Sequence, residues 1–196
     1  NKPSTRCILL AGAELSQSMQ GLWNMIRQKR QAGAKLIVID PRETIPAREA
    51  DIWLQVKPAT DTALLMGMIN VIIEEELYDR EFVEKWCYGF DGLKERAANY
   101  TPEKVADITW VPAEKIREAA RMYATNRPAV KFHGLGLEHQ SNSVISGIQA
   151  VNILSAITGN VDACGGDVLT GPCPDFIPHE TIEADDSLPE EQVNKQ

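Results

Sequence analysis

Residues 35–44, KLIVIDPRET, place four consecutive apolar side chains directly before an acid, a proline and an arginine. A short, continuous apolar run of this kind is typical of a strand that is buried on both faces of a parallel sheet. A similar run, CILLA at residues 7–11, precedes it, and the segment between the two runs has apolar residues at helical spacing. Strand, helix and strand in this order predict a right-handed βαβ unit and hence an α/β fold.

The helix between these strands is predicted to begin after Ser18, whose hydroxyl can cap it, and to end at Gly33. Its expected buried face consists of Leu22, Trp23, Met25 and Ile26. Two more strands are predicted at residues 52–56 and 129–132. Further helices are predicted at residues 62–76, 79–86, 91–98, 112–125 and 144–157, and residues 133–143 are predicted to form a polar loop.

Composition and charge exclude several classes of protein. The net charge of -8 and the pI near 5.0 argue against a nucleic acid or an anionic membrane as the main partner. No apolar run approaches the roughly 18 residues that span a bilayer, so we expect a soluble segment without membrane insertion. The four cysteines stand too far apart for a CxxC pair, and we expect no metal site from them. Because the first residue is Asn, we expect a piece of a longer protein.

The end of the chain differs in composition from the rest. Beyond Gly165 the sequence becomes rich in proline and acidic residues. We therefore expect residues 1–170 to form the folded domain. Residues 171–196 are expected to be extended or disordered, or to pack on a neighbouring domain.

Four loops follow the predicted strands, at residues 12–18, 40–44, 57–61 and 133–140. In an open parallel sheet, ligands bind where the strands end at their carboxyl side. The first loop offers a glycine turn and backbone N–H groups that suit a pyrophosphate. It lacks the G-x-G-x-x-G pattern, however, and a plain structural turn is the alternative.

The acidic residues of the loops are open to two interpretations each. Asp40 either caps the turn at Pro41 or accepts a ribose hydroxyl, and Arg42 pairs with Asp40, binds a phosphate or lies on the surface. Asp61 either caps the following helix or accepts two parallel hydrogen bonds from the N1–H and amino groups of guanine. His133 and His139 are lone histidines, which more often have structural roles; with Glu138 a metal pair is conceivable, but the histidines stand six residues apart in a loop, and we reject a zinc site there.

A series of motifs in a fixed order resembles the molybdopterin oxidoreductase family. These motifs are AGAELSQS, GAKLIVIDPRET, READIWLQVKPATDTALLMGMINVIIEEELYDREFVEKW, YTPEKVADITWVPAEKIREAARMYA, GLGLEHQ and ILSAITGN, within residues 6–170. The family includes dimethyl sulfoxide reductase, formate dehydrogenase, the periplasmic nitrate reductases and acetylene hydratase. The resemblance implies a Rossmann-like three-layer domain, a mainly parallel sheet flanked by helices, within the catalytic subunit of a larger prokaryotic enzyme.

The resemblance also implies that this domain anchors one guanine-dinucleotide arm of a bis-molybdopterin guanine dinucleotide cofactor. The residues implied to approach the diphosphate are Gly12, Ala13, Glu14, Ser16 and Ser18, and those implied to line the nucleoside are Asp40, Pro41, Arg42 and Thr44. The residues implied to meet the guanine are Pro58, Thr60 and Asp61. Those implied to reach toward the pterin are Gly134, Leu135, Gly136 and His139. Two positions depart from the family pattern: Ala13-Glu14-Leu15 replaces a G-x-N-P-type loop, and His139 stands where relatives often have glutamine.

In this family the 4Fe-4S cysteines and the ligand of the molybdenum or tungsten precede the region that this chain resembles. The resemblance therefore implies no catalytic or metal-binding residue here and no turnover by this segment alone. Sister domains of the same subunit are the implied partners, with a possible iron-sulfur electron-transfer subunit. A cytoplasmic and a periplasmic parent are both compatible with these motifs. Two alternatives are a free-standing nucleotide-binding domain and a non-redox relative such as a hydratase.

Overall fold

The computed structural model describes residues 4–139 and 144–169, which form an α/β domain around a four-stranded sheet. The strands are β1 (Cys7–Ala11), β2 (Lys35–Ile39), β3 (Ile52–Leu54) and β4 (Ala129–His133). The helices are α1 (Leu15–Ser18), α2 (Gln20–Gln31), α3 (Ile45–Glu49), α4 (Asp61–Glu74), α5 (Arg80–Trp86), α6 (Phe90–Ala97), α7 (Pro102–Thr109), α8 (Ala113–Thr125), α9 (Leu135–His139) and α10 (Val144–Ile157).

The sheet has the strand order β3-β2-β1-β4, and every pairing in it is parallel. In the central strand β1, Leu9 lies opposite Ile37 of β2 on one side and Lys131 of β4 on the other. This arrangement confirms the predicted βαβ unit and the Rossmann-like α/β class. Since all four strands run in the same direction, their carboxyl ends lie at one edge of the sheet.

Alternate residues of the strands pack into two separate hydrophobic cores, one on each face of the sheet. Leu9 and Ile37 belong to the larger core, together with side chains of α4, α7, α8 and α10. Leu10 and Val38 point to the opposite face and pack with α2 and α3. Each fully buried Leu or Ile side chain stabilises the fold by roughly 1.5–3 kcal/mol. Helices on both faces confirm the predicted three layers.

The prediction for the first helix is wrong at its start. The chain turns into the four-residue α1 after Gly12, and α2 then begins after Met19, so Ser18 is not its N-cap. Of the expected buried face, Trp23 and Ile26 are buried, whereas Met25 is 59% exposed. The reason is the helical period of 3.6 residues, which places Met25 roughly 200° around α2 from the buried Trp23.

Besides α1, three further short helices were not predicted. Thr44 and Thr101 cap α3 and α7 with their hydroxyls, and each helix has a proline in its first turn. This Thr and Pro pattern is a helix-start signal that the sequence did contain. The third, α9, lies within the segment predicted as a polar loop, and β3 ends at Leu54 rather than residue 56. The expected tail at residues 171–196 lies outside the described residues. No helix in the described ranges combines the length and apolar character that a bilayer crossing needs.

Candidate functional site at the carboxyl edge of the sheet

A cavity of about 380 Å³ opens at the carboxyl edge of the sheet. It is lined by Gly12, Asp40, Pro41, Arg42, Pro58, Ala59, Asp61 and Gly136. Each of the four strands contributes through the loop that follows it. The expectation that the four loops meet at one place is therefore confirmed, and the cavity is the candidate ligand site of this domain.

The turn after β2 holds Asp40 in a fixed position. Asp40 is only 3% exposed, and its Oδ1 accepts hydrogen bonds from the Arg42 backbone N–H at 2.8 Å and from Arg42 Nε at 3.4 Å. Its Oδ2 has no hydrogen-bond partner within residues 4–139 and 144–169. Both interpretations of Asp40 are thus compatible with the structure, because Oδ1 caps the turn while Oδ2 can accept a hydrogen bond from a ligand.

Strand β3 and the residues after it anchor this turn from the side. Trp53 Nε1 donates to the carbonyl oxygen of Asp40 at 2.9 Å, and Gln55 Nε2 donates to the carbonyl oxygen of Pro41 at 3.2 Å. The Asp40 backbone N–H also donates to the Leu54 carbonyl at 3.3 Å. These bonds preorganise the turn, so a ligand does not have to order it on binding.

Asp61 is a buried carboxylate at the start of α4. The alternative that it caps this helix is wrong, because Thr60 occupies the N-cap position and Asp61 is the first helical residue. Asp61 is 7% exposed, and among the described residues only its own backbone N–H bonds its carboxylate. Burial raises the pKa of Asp61 to about 6, and the negative charge of Asp40 adds to the increase. A buried carboxylate with so few donors has acceptor capacity left for the hydrogen bonds of a ligand.

Ala59 is a cavity residue that the sequence analysis did not identify. It adopts a left-handed conformation with φ of 67°, in a turn where the Thr60 N–H and hydroxyl both donate to the Lys57 carbonyl, at 3.1 and 2.7 Å. The hydroxyl of Thr60 is therefore engaged by the turn itself. No glycine or asparagine stands at this position, so the sequence carried no signal for the left-handed conformation of Ala59.

Three glycines allow the loops after β1 and β4 to touch. A Cβ atom on Gly12 would lie 2.6 Å from the Leu137 nitrogen, and one on Gly134 would lie 2.8 Å from the Gly12 oxygen. The Gly136 N–H donates to the Gly12 carbonyl at 3.3 Å, and Gly12 has φ of 60°. The backbone of α9 therefore packs directly on the first loop, and both loops reach the cavity through glycine backbone.

The polar side chains of the first loop bond to one another. Glu14 accepts hydrogen bonds from the backbone N–H of Ser16 at 3.1 Å and from the Ser16 hydroxyl, and the Ser18 hydroxyl donates to the Glu14 carbonyl at 2.8 Å. Ala13 is buried, and Gly12 is the residue of this loop that lines the cavity. A diphosphate role for the loop stays a prediction.

The remaining predicted site residues lie outside the cavity lining. The Thr44 hydroxyl caps α3 through the Ala47 N–H at 3.2 Å. Leu135 and His139 are exposed on α9. His133 Nδ1 lies 2.8 Å from Glu138 Oε1, so this pair ties β4 to α9. The contacts toward a pterin stay a prediction.

Comparison with known proteins identifies the family. The family model described as molybdopterin oxidoreductase matches residues 3–169. Acetylene hydratase of Syntrophotalea acetylenica is 45% identical over 193 residues, which are 98% of this chain and 26% of that protein. Formate dehydrogenase H of Escherichia coli K12 is 37% identical over 158 residues, which are 81% of this chain and 22% of that protein.

The fold matches a solved structure as well. The structure of acetylene hydratase from Pelobacter acetylenicus superimposes with a TM-score of 0.84 at 44% identity, over 96% of this chain and 26% of that one. The chain thus spans about a quarter of the length of these relatives. On the evidence of the family match, the sequence identities and the fold, this chain belongs to the molybdopterin oxidoreductase family.

Proposed function

We propose that this chain is the domain of a molybdenum or tungsten enzyme that anchors a guanine-dinucleotide arm of its molybdopterin cofactor. The observation that supports this proposal most directly is the Asp61 carboxylate, which is buried at the cavity with only its own backbone N–H as donor. The residues of the cavity fit a nucleoside. When bound, the metal-pterin group supplies the chemistry of the parent enzyme, and this domain holds and orients it.

Hydrogen-bond complementarity gives the proposal its base specificity. Guanine presents two parallel donors, N1–H and the exocyclic amine, which match the two oxygens of Asp61. Adenine can donate from its N6 amine to one oxygen only, and its N1 lone pair would face the other oxygen of the buried carboxylate, which a polar site rejects strongly. Asp40 Oδ2 is available to a ribose hydroxyl. The guanidinium of Arg42, whose side chain is 71% exposed, has N–H groups left for a phosphate.

Calorimetric titration of this chain with GDP and ADP tests the proposal. We expect GDP to bind at least about tenfold more tightly than ADP, and Asp61→Asn to abolish the difference, because an amide cannot accept both donors. Asp107→Asn, the same change at an exposed position of α7, is the matched control and should preserve the preference. Equal affinities for the two nucleotides in the wild-type chain would contradict the assignment.

The sequence identities favour a hydratase as the parent enzyme. The sequence identity to acetylene hydratase is 45% over 98% of this chain, whereas the identity to formate dehydrogenase H is 37% over 81% of it. We propose that the parent adds water to a carbon–carbon triple bond without net redox. An assay of the full-length parent should show acetylene converted to acetaldehyde without an external electron acceptor. Formate oxidation without acetylene hydration would contradict this.

The remaining length of the parent enzyme has a proposed role too. We propose that the metal ligand, any 4Fe-4S cluster and the sister domains that complete the cofactor site belong to the part of the parent polypeptide outside this chain, which spans 26% of acetylene hydratase. An iron-sulfur subunit would be a partner only of a redox-active parent. Metal and iron analysis of the full-length parent, with and without deletion of this domain, tests the division.

A further inference from the structure

A second cavity, of about 560 Å³, lies beside the first and has a different chemical character. It is lined by Pro41, Gln55, Val56, Pro58, Trp110, Val111, Pro112 and Lys115. Pro41 and Pro58 line both cavities, so these prolines form the wall between them. Among residues 4–139 and 144–169, no carboxylate lines this second cavity, although the chain as a whole carries a net charge of -8. Its volume is in the range of small-molecule sites.

Trp110 is the most unusual residue of this wall. It ends α7 in a left-handed conformation with φ of 65°, and its backbone N–H donates to the Ala106 carbonyl at 3.0 Å. A glycine would close the helix in this way without strain, whereas a bulky residue is strained there. The indole is also 67% exposed, so it contributes little buried area in return. The stability of the fold therefore does not account for a tryptophan here.

Two lysines lie at or beside this cavity, one in contact with the Trp110 indole and one in the cavity lining. Lys57 Nζ lies 5.2 Å from the centre of the Trp110 ring, a cation–π contact. The Lys57 backbone N–H donates to the Thr109 carbonyl at 2.8 Å, which fixes the two residues relative to each other. Lys115, in the first turn of α8, lines the same cavity, and its Nζ lies 3.5 Å from the carbonyl oxygen of Trp53. The cavity lining thus combines the Trp110 indole with one ammonium group, that of Lys115, while Lys57 contacts the indole from outside the lining.

We propose that this second cavity binds a flat aromatic ring that carries an anionic group, with the ring against Trp110 and the anion facing Lys115. An exposed indole offers a stacking surface for any planar ring, whichever hydrogen-bonding groups its edge presents. The Lys115 ammonium supplies donors for a phosphate or carboxylate. Since the described residues of the lining include no carboxylate, they offer no acid to select guanine. The site therefore accepts a class of ligand that the Asp61 cavity rejects.

AMP is the probe, because its adenine cannot donate the two hydrogen bonds that Asp61 requires. The chain labelled with 5-fluorotryptophan has four tryptophans, and Trp110→Gly identifies the 19F resonance of Trp110. We expect AMP to shift that resonance with saturation at concentrations up to the order of 10 mM. Lys115→Gln should weaken the binding by about tenfold. Trp110→Gly should weaken it, measured by calorimetry, by on the order of tenfold or more.

Several variants separate binding from folding and from the first cavity. Trp110→Gly should keep or raise the thermal midpoint of the chain, because glycine tolerates the positive φ, so lost binding would not reflect unfolding. Lys94→Gln, at an exposed position of α6, should bind AMP like the wild type. Asp61→Asn should leave AMP binding unchanged, whatever it does to GDP. An unshifted Trp110 resonance, an equal affinity in Lys115→Gln, or loss of AMP binding in Asp61→Asn would each overturn the proposal.

Discussion

Asp40 and Asp61 line one cavity from two different loops, and the negative charge of Asp40 adds to burial in raising the pKa of Asp61 to about 6. The two carboxylates differ in their surroundings. Asp40 is held by the N–H groups of Arg42, whereas Asp61 has only its own backbone N–H among the described residues. The pair therefore has a defined geometry but an unfavourable charge in the absence of a ligand, which is expected of a site built for a ligand with donor groups.

The raised pKa predicts how Asp61 affects stability. The pKa of Asp61 is about 6 in the folded chain, against an ordinary 3.8, so the contribution of this carboxyl to the free energy of unfolding falls as pH rises from about 4 to 6. Asp61→Asn should therefore stabilise the chain by about 1–3 kcal/mol at pH 8, and the gain should shrink toward zero as pH falls to about 4. Urea unfolding at several pH values measures this. A gain of the same size at pH 4.5 and pH 8 would argue against a buried, ionised Asp61.

The same pKa predicts a pH dependence of guanine nucleotide binding. Only the ionised carboxylate can accept both guanine donors, so affinity for GDP should be constant above about pH 7 and fall roughly tenfold at pH 5. Calorimetry at pH 5 and pH 7.5 measures the difference. Asp61→Asn provides the comparison, since its residual binding should lack this transition. An identical pH profile in both chains would show that another group titrates.

The contact between the glycine loops predicts a large effect of one methyl group. Gly12→Ala places a Cβ 2.6 Å from the Leu137 nitrogen at a φ of 60°, so we expect a destabilisation of about 2–4 kcal/mol. The matched control is Gly21→Ala in α2, where nothing lies within 4 Å of the new Cβ. That control should stabilise the helix by about 0.5–1 kcal/mol. Urea unfolding measures the free energy of unfolding of both variants. Equal changes in the two would contradict the close packing at Gly12.

The bond from Trp53 to the turn after β2 predicts a coupling between the strand and the nucleotide. Trp53→Phe removes the donor to the Asp40 carbonyl, which should cost about 1 kcal/mol of stability and weaken GDP binding severalfold by loosening the turn. Trp86→Phe, at a position that is 68% exposed, removes an indole elsewhere and should change neither quantity. Calorimetry and unfolding of the two variants decide the matter. Unaltered GDP affinity in Trp53→Phe would mean that the turn is ordered without this bond.

Local sequence patterns were sufficient for the architecture and for the place of the site. The apolar runs at residues 7–11 and 35–39 marked the parallel strands, because strands buried on both faces are apolar throughout. Their order along the chain then required the loops after them to meet at one edge. Asp40 and Asp61 were candidates for that reason, and the cavity contains both. The short helices α3 and α7 were not predicted, although their N-cap residues Thr44 and Thr101 are typical of helix starts.

Other features depended on segments that are distant in the sequence. The pKa of Asp61 follows from its burial and from the charge of Asp40, and neither can be read from the residues next to it. The positive φ of Ala59 and Trp110 occurs without a glycine or asparagine to signal it. The need for Gly12 arises only because α9 packs against it. Sequence by itself determined the fold class, the family and the edge of the sheet where the candidate cavity lies. The tertiary structure alone decided which side chains are buried, charged and left to a ligand, because burial and electrostatic coupling are properties of neighbours in space.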